Sequence, residues 1–273
     1  MSFAANASSS TAVEAFDRVA ASYDDLFTRT VIGQAQRKQV WKRLLLAYAP
    51  GDKILELNCG TGEDARFLGT RGRSIVACDG SAEMIKMANA RAQQEAKCAD
   101  VTFKHLANEE LRSLSRRQLF DGAYSNFSGL NCVSDLQPVA RELASLIRSG
   151  GRVLICLWSR VCVGELIWYL LHGETSKAVR RFSGKAQAQV GGLTITVSYP
   201  TVKEVRRAFA PWFRLDRRQA IGLFVPPSYV ENWARRHSSL MRYLERMDGA
   251  FAEMPVLRDV GDHVLLEFTR CRQ

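Results

Sequence analysis

The stretch that most constrains the fold is residues 53–68, KILELNCGTGEDARFL. Its apolar run at 54–57 predicts a buried strand, the glycine-containing segment 58–62 predicts a tight turn, and 63–68 predicts the start of a helix. Glycine suits such a turn because it reaches positive φ and has no side chain to obstruct a ligand. A strand, turn and helix in this order present backbone N–H groups and a helix N-terminus to a nucleotide-like ligand.

Acidic residues around this turn separate two ligand classes. A dinucleotide site needs the pattern G-x-G-x-x-G, with the pyrophosphate on bare N–H groups of the helix. Here the glycines fit only G-x-G, and Glu63 and Asp64 stand where a pyrophosphate would bind. These carboxylates, together with Glu56 in the strand, favour a ligand that carries an amine or a sulfonium. A nicotinamide dehydrogenase is therefore the least favoured class.

Strands and helices alternate through the first 158 residues. Apolar strands are predicted at 54–57, 74–79, 101–106, 120–125 and 152–158, with helices at 13–28, 34–49 and 136–147 and a turn at 149–151. This order predicts an α/β fold, a parallel sheet with helices on both faces. Ligands on such sheets bind beyond the carboxyl ends of the strands, where the loops 58–62, 79–81, 107–109 and 126–132 fall.

The second half of the chain is less regular. It predicts a helix at 163–182, a strand or hairpin arm at 193–199, a strand at 213–224 and a closing strand at 262–269. Capping boxes at 201–204 and 228–231 predict two further helix starts. The segments 159–200 and 225–258 exceed what a bare sheet needs, so we expect them to form a cap over the substrate.

Asp79 ends the second strand about 20 residues after the glycine turn, the spacing expected of a residue that accepts hydrogen bonds from ribose hydroxyls. Ser81 is the predicted N-cap of the following helix. Met84, in the first turn of that helix, fits either a contact with an adenine ring or a place in the core.

Composition limits the compartment and the partners. The hydrophobic fraction of 47% suffices for a large core, and the apolar stretch 153–171 is interrupted by Arg160 and Glu165, so no membrane span is expected. Residues 1–13 lack the features of a signal peptide and predict a flexible tail ahead of a single domain at 14–273. We therefore expect a cytoplasmic protein.

Cysteines and net charge add little about function. The seven cysteines are scattered without C-x-x-C spacing, so no metal site is predicted, although Cys59 and Cys132 fall in the ligand loops. The net charge of +10 fits a solvated arginine-rich surface, and it also leaves room for an anionic partner such as nucleic acid.

Five marks together resemble one family: FDRVAASYDD at 16–25, LELNCGTGE at 55–63, Asp79, FDGAYSNF at 120–127 and LIRSGGRVLICLW at 146–158. The chain resembles class I S-adenosylmethionine-dependent methyltransferases, in particular the small-molecule branch that includes quinone-biosynthesis enzymes. The resemblance implies a Rossmann-like, doubly wound, seven-stranded and mostly parallel sheet whose last strand is antiparallel. It covers residues 14–158, the expected cofactor-binding core, and the last strand.

The resemblance also implies roles for particular residues. Glu56 and the turn Asn58, Cys59, Gly60, Thr61 and Gly62 would hold the methionine end of S-adenosylmethionine. Asp79 would bind the ribose, with Gly80, Ser81 and Met84 around the adenosine, Ala107 and Asn108 at the adenine edge, and Asn126 and Phe127 at the methionine side. Tyr23 would help to close a lid. Two positions depart from the family: Asn58 replaces the first glycine of the turn, and Ala107 replaces an aspartate that often binds adenine.

No general base is evident, and methyl transfer needs one only if the acceptor must lose a proton. His172 and His237 lie in the cap segments and are the weak candidates, whereas His263 is expected to be structural. Six cap aromatics are candidates for an apolar substrate pocket: Trp168, Tyr169, Tyr199, Phe224, Tyr229 and Trp233. The predicted function is methyl transfer to a small lipophilic or aromatic molecule. An RNA methyltransferase and a non-catalytic binding protein are the alternatives.

Overall fold

A twisted seven-stranded sheet is the centre of the computed structural model, which describes residues 3–94, 100–114 and 119–272. The strands are β1 Lys53–Leu57, β2 Ser74–Asp79, β3 Val101–His105, β4 Phe120–Ser125, β5 Ile147–Trp158, β6 Lys185–Val190, β7 Leu193–Ser198, β8 Phe213–Ile221 and β9 His263–Arg270. The main sheet has the order β3-β2-β1-β4-β5-β9-β8, and β6 and β7 form a separate hairpin.

Strands β1 to β5 run parallel, and β9 is inserted antiparallel between β5 and β8. The predicted seven-stranded, mostly parallel sheet with an antiparallel last strand is therefore confirmed. The predicted limits of the strands at 74–79 and 120–125 agree with the observed ones. Strand β5 begins five residues earlier than predicted, because the glycines of the expected turn at 149–151 are part of the strand.

Helices cover both faces of the sheet. They are α1 Phe3–Tyr23, α2 Val31–Ala47, α3 Glu63–Gly69, α4 Ala82–Gln93, α5 Leu136–Leu146, α6 Val163–Leu171, α7 Thr175–Ala178, α8 Val202–Phe209, α9 Glu231–Arg236 and α10 Ser238–Phe251. Single turns of π- or 3₁₀-helix occur at Asp24–Thr28, Asn108–Ser113, Gly129–Cys132, Arg180–Ser183 and Ser228–Val230. None of the helices in the described ranges has the length and apolar character needed to span a bilayer.

Alternation along the strands creates two cores. On β1, Leu55 and Leu57 point to the cluster that includes α5 and α8, whereas Ile54 points to the cluster that includes α2 and α3. Successive side chains of a strand face opposite sides, so a short apolar run with both faces buried is what a parallel sheet between helices requires. The core therefore fixes the positions of the loops at the carboxyl ends of the strands.

The prediction of a flexible tail at residues 1–13 is wrong, because most of this segment is helical. Helix α1 begins at Phe3, within the segment 1–13 that was expected to be a flexible tail. Its sequence is rich in alanine, which has the highest helix propensity, and Ala12 and Ala15 pack against Ile195 and Val197 of the hairpin. Tertiary contacts thus extend the helix beyond the limit that periodicity predicted.

The second half of the chain departs from the predicted secondary structure at a glycine and at one capping box. The helix predicted at 163–182 divides after α6, where Gly173 adopts a φ of +73°. The hairpin strand β6 was not predicted. The capping box at 201–204 is confirmed, because Thr201 and Glu204 exchange both hydrogen bonds. The box at 228–231 is wrong, since the Glu231 carboxylate instead accepts from the backbone N–H groups of Val31 and Ile32.

Segment 225–258 packs against α2. Ile32 and Ala35 of α2 contact Val225, Ala234 and Met241 in a small separate cluster. Glu231 caps the N-terminus of α2, so the second cap segment contributes to the stability of the core. Segment 159–200 contains α6, α7 and the hairpin, which packs against α1.

We expect Glu231→Ala to lower the free energy of unfolding by about 1–2 kcal/mol, because two N–H groups at the start of α2 lose their acceptor. Arg235→Ala is the matched control, since it removes only the exposed ion pair between Arg235 and Glu231 and should cost about 0.5 kcal/mol or less. Urea unfolding followed by circular dichroism measures both. Equal losses in the two variants would contradict the capping role.

Candidate active site

The glycine turn after β1 is built from three residues with positive φ: Asn58 at +56°, Gly60 at +53° and Gly62 at +76°. Gly60 leaves space for a ligand, since a Cβ added there would meet only the Tyr23 ring, at 3.8 Å. Gly62 is required by packing instead, because its Cβ would lie 2.6 Å from the Phe103 ring. Asn58 adopts the left-handed backbone of the first glycine position, which asparagine tolerates better than most residues.

Gly129 accommodates the side chain of Asn58. A Cβ on Gly129 would lie 2.3 Å from the Asn58 Cβ and 2.6 Å from its Cγ. The Asn58 Oδ1 also accepts a hydrogen bond from the Ser125 hydroxyl at 3.2 Å. The replacement of a turn glycine by asparagine is thus balanced by a missing side chain on the facing loop.

Asp79 connects the ends of β1 and β2. Its Oδ2 accepts a hydrogen bond from the Gly60 N–H at 2.8 Å, and its Oδ1 accepts one from the Ser81 N–H at 2.9 Å. Burial raises the pKa of Asp79, although the two backbone hydrogen bonds oppose the shift. A carboxylate offers about four lone-pair sites, so each oxygen keeps capacity for a ligand hydroxyl.

A cavity of about 570 Å³ lies beyond the carboxyl ends of β1, β2 and β4. This volume is within the usual range for a small-molecule site. Eleven of the fifteen predicted cofactor residues line it: Tyr23, Asn58, Gly60, Asp79, Gly80, Ser81, Met84, Ala107, Asn108, Asn126 and Phe127. Glu56, Cys59, Thr61 and Gly62 lie behind the turn and are not part of the lining. Cys132 also lines the cavity, and Cys98 falls outside the described residues.

Two of the three acidic residues that were predicted to attract a cation, Glu63 and Asp64, form ion pairs within the protein. Glu63 binds Arg66 and Arg91, and Asp64 binds Arg37 at 2.6 Å. Glu56 is buried, and burial raises its pKa well above the usual value. The sequence could not show that arginines pack against Glu63 and Asp64, whereas Glu56 keeps one buried oxygen, Oε2, without a hydrogen-bond partner in the described structure.

Arg37 was missed by the sequence analysis. It is buried with Asp64, and its guanidinium lies 4.7 Å from the centre of the Phe127 ring. Asp64 also accepts hydrogen bonds from Trp41 Nε1 at 2.6 Å and from Asn126 Nδ2 at 2.9 Å. Arg37 lies in the first half of α2, and its sequence surroundings carry no signal for this role.

Aromatic side chains form a continuous wall of the cavity. Its members are Phe16, Tyr23, Phe27, Phe127, His263 and Trp158, and all six line the cavity. Neighbouring rings have centroids 5.0–6.5 Å apart. Phe16, Tyr23 and Phe27 recur at seven- and four-residue spacing before and within the π-helical turn, so helical periodicity could have identified that side of the wall.

The six cap aromatics were assigned to the wrong place. None of them lines this cavity, and only Tyr199 approaches the wall, with its ring 6.0 Å from Trp158. Tyr169 and Trp168 contact Tyr229, whereas Phe224 contacts Phe251 and Trp233 contacts His237. These residues belong to insertions whose position relative to the sheet cannot be derived from local sequence pattern.

The candidate bases His172 and His237 are also outside the cavity. Both are exposed, and their Nδ1 atoms lie 2.8 Å from the carbonyl oxygens of Trp168 and Trp233, each four residues earlier. Each histidine stacks on that same tryptophan. They act as helix C-terminal residues, and the structure does not bring them to the site.

His263, expected to be only structural, lines the cavity at the start of β9. It is buried, and burial lowers its pKa to about 4, although the neighbouring Asp262 carboxylate opposes this shift. Its Nδ1 lies 3.4 Å from Asp262 Oδ2 and makes no hydrogen bond within the described part of the chain. A neutral imidazole at the wall can accept a proton.

Cys162, Glu165 and Asp262 bring potential metal ligands within 4.8 Å of one another. Arg181 donates to both carboxylates, at 2.5 Å to Glu165 and 2.8 Å to Asp262, and Arg180 donates to Glu165 at 3.0 Å. The guanidinium charges already neutralise the two acids. This cluster is therefore an ion-pair network that ties α6 to the start of β9.

Comparison with known proteins agrees with this geometry. Residues 54–151 match the family described as methyltransferase domain. Among solved structures, the chain is similar to geranyl diphosphate C-methyltransferase from Streptomyces coelicolor, with a TM-score of 0.55, 18% identity, and coverage of 86% of this chain and 79% of the other. An S-adenosylmethionine-dependent methyltransferase from Mesorhizobium loti gives a TM-score of 0.52 at 18% identity, covering 84% and 97% of the two chains.

Curated relatives are similar to about half of this chain. The 2-phytyl-1,4-naphtoquinone methyltransferase of Synechocystis sp. is 31% identical over 147 residues, which are 51% of this chain and 59% of the relative. The demethylmenaquinone methyltransferase of Mycobacterium marinum is 34% identical over 147 residues, 53% of this chain and 58% of the relative. The similarity thus spans less than two thirds of these relatives.

We expect Gly129→Ala to lower the free energy of unfolding by about 1–3 kcal/mol, because the new Cβ overlaps Asn58. In an Asn58→Gly background the same change should cost much less, since the overlapping atoms are absent. A double-mutant cycle by chemical denaturation measures this coupling. Additive effects would show that the two loops do not depend on each other.

We expect the stability that neutral His263 gives the fold to fall as pH decreases. Its pKa is lower in the folded state, about 4, than the ordinary 6.5, so the unfolded chain binds the proton first. The contribution is complete above pH 6.5 and is lost down to pH 4, by roughly 3 kcal/mol. Unfolding of wild type and His263→Gln at several pH values isolates this change, and a constant difference would contradict it.

Proposed function

We propose that this chain transfers a methyl group from S-adenosylmethionine to a small, planar, lipophilic acceptor of the quinol type. The observation that carries the proposal is the Asp79 carboxylate at the end of β2, which lines the cavity with hydrogen-bonding capacity still available. When bound, the donor supplies an activated methyl group on a sulfonium.

The donor set of the cavity fits this cofactor. Asp79 would accept the ribose hydroxyls, and Ala107 and Asn108 would meet the adenine edge across from Met84. Gly60 keeps the turn open beside Tyr23. Asn126 Oδ1 and Ser128 Oγ, both in residues of the lining, are buried without a hydrogen-bond partner in the described structure, so the site contains polar atoms left for further interactions.

The aromatic wall would orient the acceptor. Phe127, His263 and Trp158 form one end of this wall, and Phe16, Tyr23 and Phe27 form the other end. Aromatic rings bind planar ligands through burial and offset stacking. Positioning the nucleophile near the methyl group and excluding water supply much of the catalysis of such a displacement. His263 is neutral at pH 7, and its Nδ1, which has no hydrogen-bond partner in the described structure, would hydrogen-bond to an acceptor hydroxyl.

The quinol class is supported by the names of the two curated relatives, which act on naphthoquinone and demethylmenaquinone as their names state. The similarity covers 59% and 58% of these relatives, so the acceptor class is our inference. Transfer to RNA and binding without catalysis stay as the alternatives. A cytoplasmic location also stays a prediction.

We expect Asp79→Ala to weaken binding of S-adenosylhomocysteine about 100-fold or more, since each of two hydrogen bonds to a charged acceptor contributes about 1.5 kcal/mol or more. Glu83→Ala is the matched control, because Glu83 is an exposed carboxylate on the next helix, paired with Lys86 and absent from the lining. Isothermal titration calorimetry measures affinity, and thermal unfolding without ligand checks the fold. Unchanged affinity in a folded Asp79→Ala protein would refute the assigned site.

The acceptor is tested with methyl-labelled donor and a demethylated naphthoquinol, with total RNA in a parallel reaction. Label in the organic extract supports the quinol class. Label in RNA would overturn the acceptor class, and cofactor binding with no transfer to either pool would favour a binding protein.

A further inference from the structure

Helix α6 exposes most of its large apolar residues and buries its charged residue, which is the reverse of a helix packed on a protein core. Its sequence VGELIWYLL contains one charged residue, Glu165, and that residue is buried. The large apolar residues face solvent instead: Ile167 is 53%, Leu170 51% and Leu171 79% exposed. A helix on a core normally shows the opposite arrangement, so the exposed side of α6 needs an explanation.

The buried ion pairs of Glu165 fix this orientation. Arg181 donates to its carboxylate at 2.5 Å and Arg180 donates at 3.0 Å. Because Arg181 also binds Asp262 at the start of β9, α6 cannot rotate to bury its apolar side without breaking the network. The exposed apolar side is thus held in place by charged contacts beneath it.

Aromatic residues adjoin this side of the helix. Trp168 is 37% exposed and lies 6.1 Å from the ring of Tyr229, which is 41% exposed. We call the surface formed by Val163, Ile167, Trp168, Leu170, Leu171 and Tyr229 the α6 face. Ser228, the residue before Tyr229, lines the cavity, whereas the residues of the α6 face do not.

Basic residues flank the α6 face. Lys177 and Arg180 lie 5.7 and 5.6 Å from the centre of the Tyr169 ring, which packs beside Tyr229. Lys177 is paired with Glu174, and Arg180 is paired with the buried Glu165. The segment 159–185 contains five arginine or lysine residues and two glutamates, so its formal charge stays positive after these pairs are counted.

We propose that the α6 face docks on the surface of an anionic phospholipid bilayer. Leucine and isoleucine side chains would enter the boundary between head groups and acyl chains, Trp168 and Tyr229 would lie at head-group depth, and the basic residues would bind lipid phosphates. Charge complementarity favours this occupant over a second copy of the chain, because a symmetric dimer would bring the same cations together. This surface interaction is separate from the proposed methyl transfer.

The test uses the full chain and sedimentation with lipid vesicles. Wild type should partition about tenfold more to vesicles with about 30 mol% phosphatidylglycerol than to pure phosphatidylcholine, and about 0.5 M NaCl should weaken that binding. The triple variant Ile167→Ser, Leu170→Ser, Leu171→Ser should lose about tenfold of the partitioning. Val256→Ser is the matched control, since Val256 is an 84% exposed apolar residue outside the α6 face and should leave binding unchanged.

Fluorescence gives a second measurement on the folded protein. With anionic vesicles, brominated acyl chains should quench wild-type emission, and Trp168→Phe should remove most of that quenching. Equal sedimentation of wild type and the triple variant, or no sedimentation of wild type, would overturn the proposal. A wild-type dimer that the triple variant abolishes, without vesicle binding, would overturn it as well. Calorimetry with S-adenosylhomocysteine measures cofactor binding without vesicles. A failure of vesicle binding can therefore be distinguished from a failure of the proposed methyl transfer.

Discussion

The Asp64 carboxylate is the interaction on which the site depends. It sits in the first turn of α3, immediately after the glycine turn, and receives hydrogen bonds or an ion pair from Arg37, Trp41 and Asn126. These three partners come from α2 and from the loop after β4, so one buried anion sets the distance between three parts of the cavity. Burying a charge without such partners would cost several kcal/mol.

The same anion explains how the cavity wall is oriented. Arg37 is neutralised by Asp64 and spreads its guanidinium over Phe127, which in turn packs edge-on against His263. Asp64 thereby positions the Phe127 and His263 rings through Arg37. Rigid packing of this kind keeps a binding surface preformed, which reduces the ordering cost of binding.

The sequence predicted the parts of the molecule that local pattern determines. Buried apolar runs identified five parallel strands, and the spacing between Gly60 and Asp79 placed both on one cavity. Long-range pairing was beyond such reasoning. Nothing near Asp64 indicates that Arg37 neutralises it, and nothing near Glu231 indicates that it caps α2 from 200 residues away. The cap aromatics failed for the same reason, because the docking of an insertion depends on contacts between distant segments.

The order of the strands has a consequence for synthesis. β8 is made before β9, yet β9 separates it from β5, so β8 has no partner until the following 42 residues or so have emerged. An unpaired strand can join other chains through its free N–H and C=O groups. β8 carries Arg214, Asp216, Arg217 and Arg218 in its first six residues. Four charged side chains in a short strand would oppose aggregation of β8 until β9 has been synthesised and can pair with it.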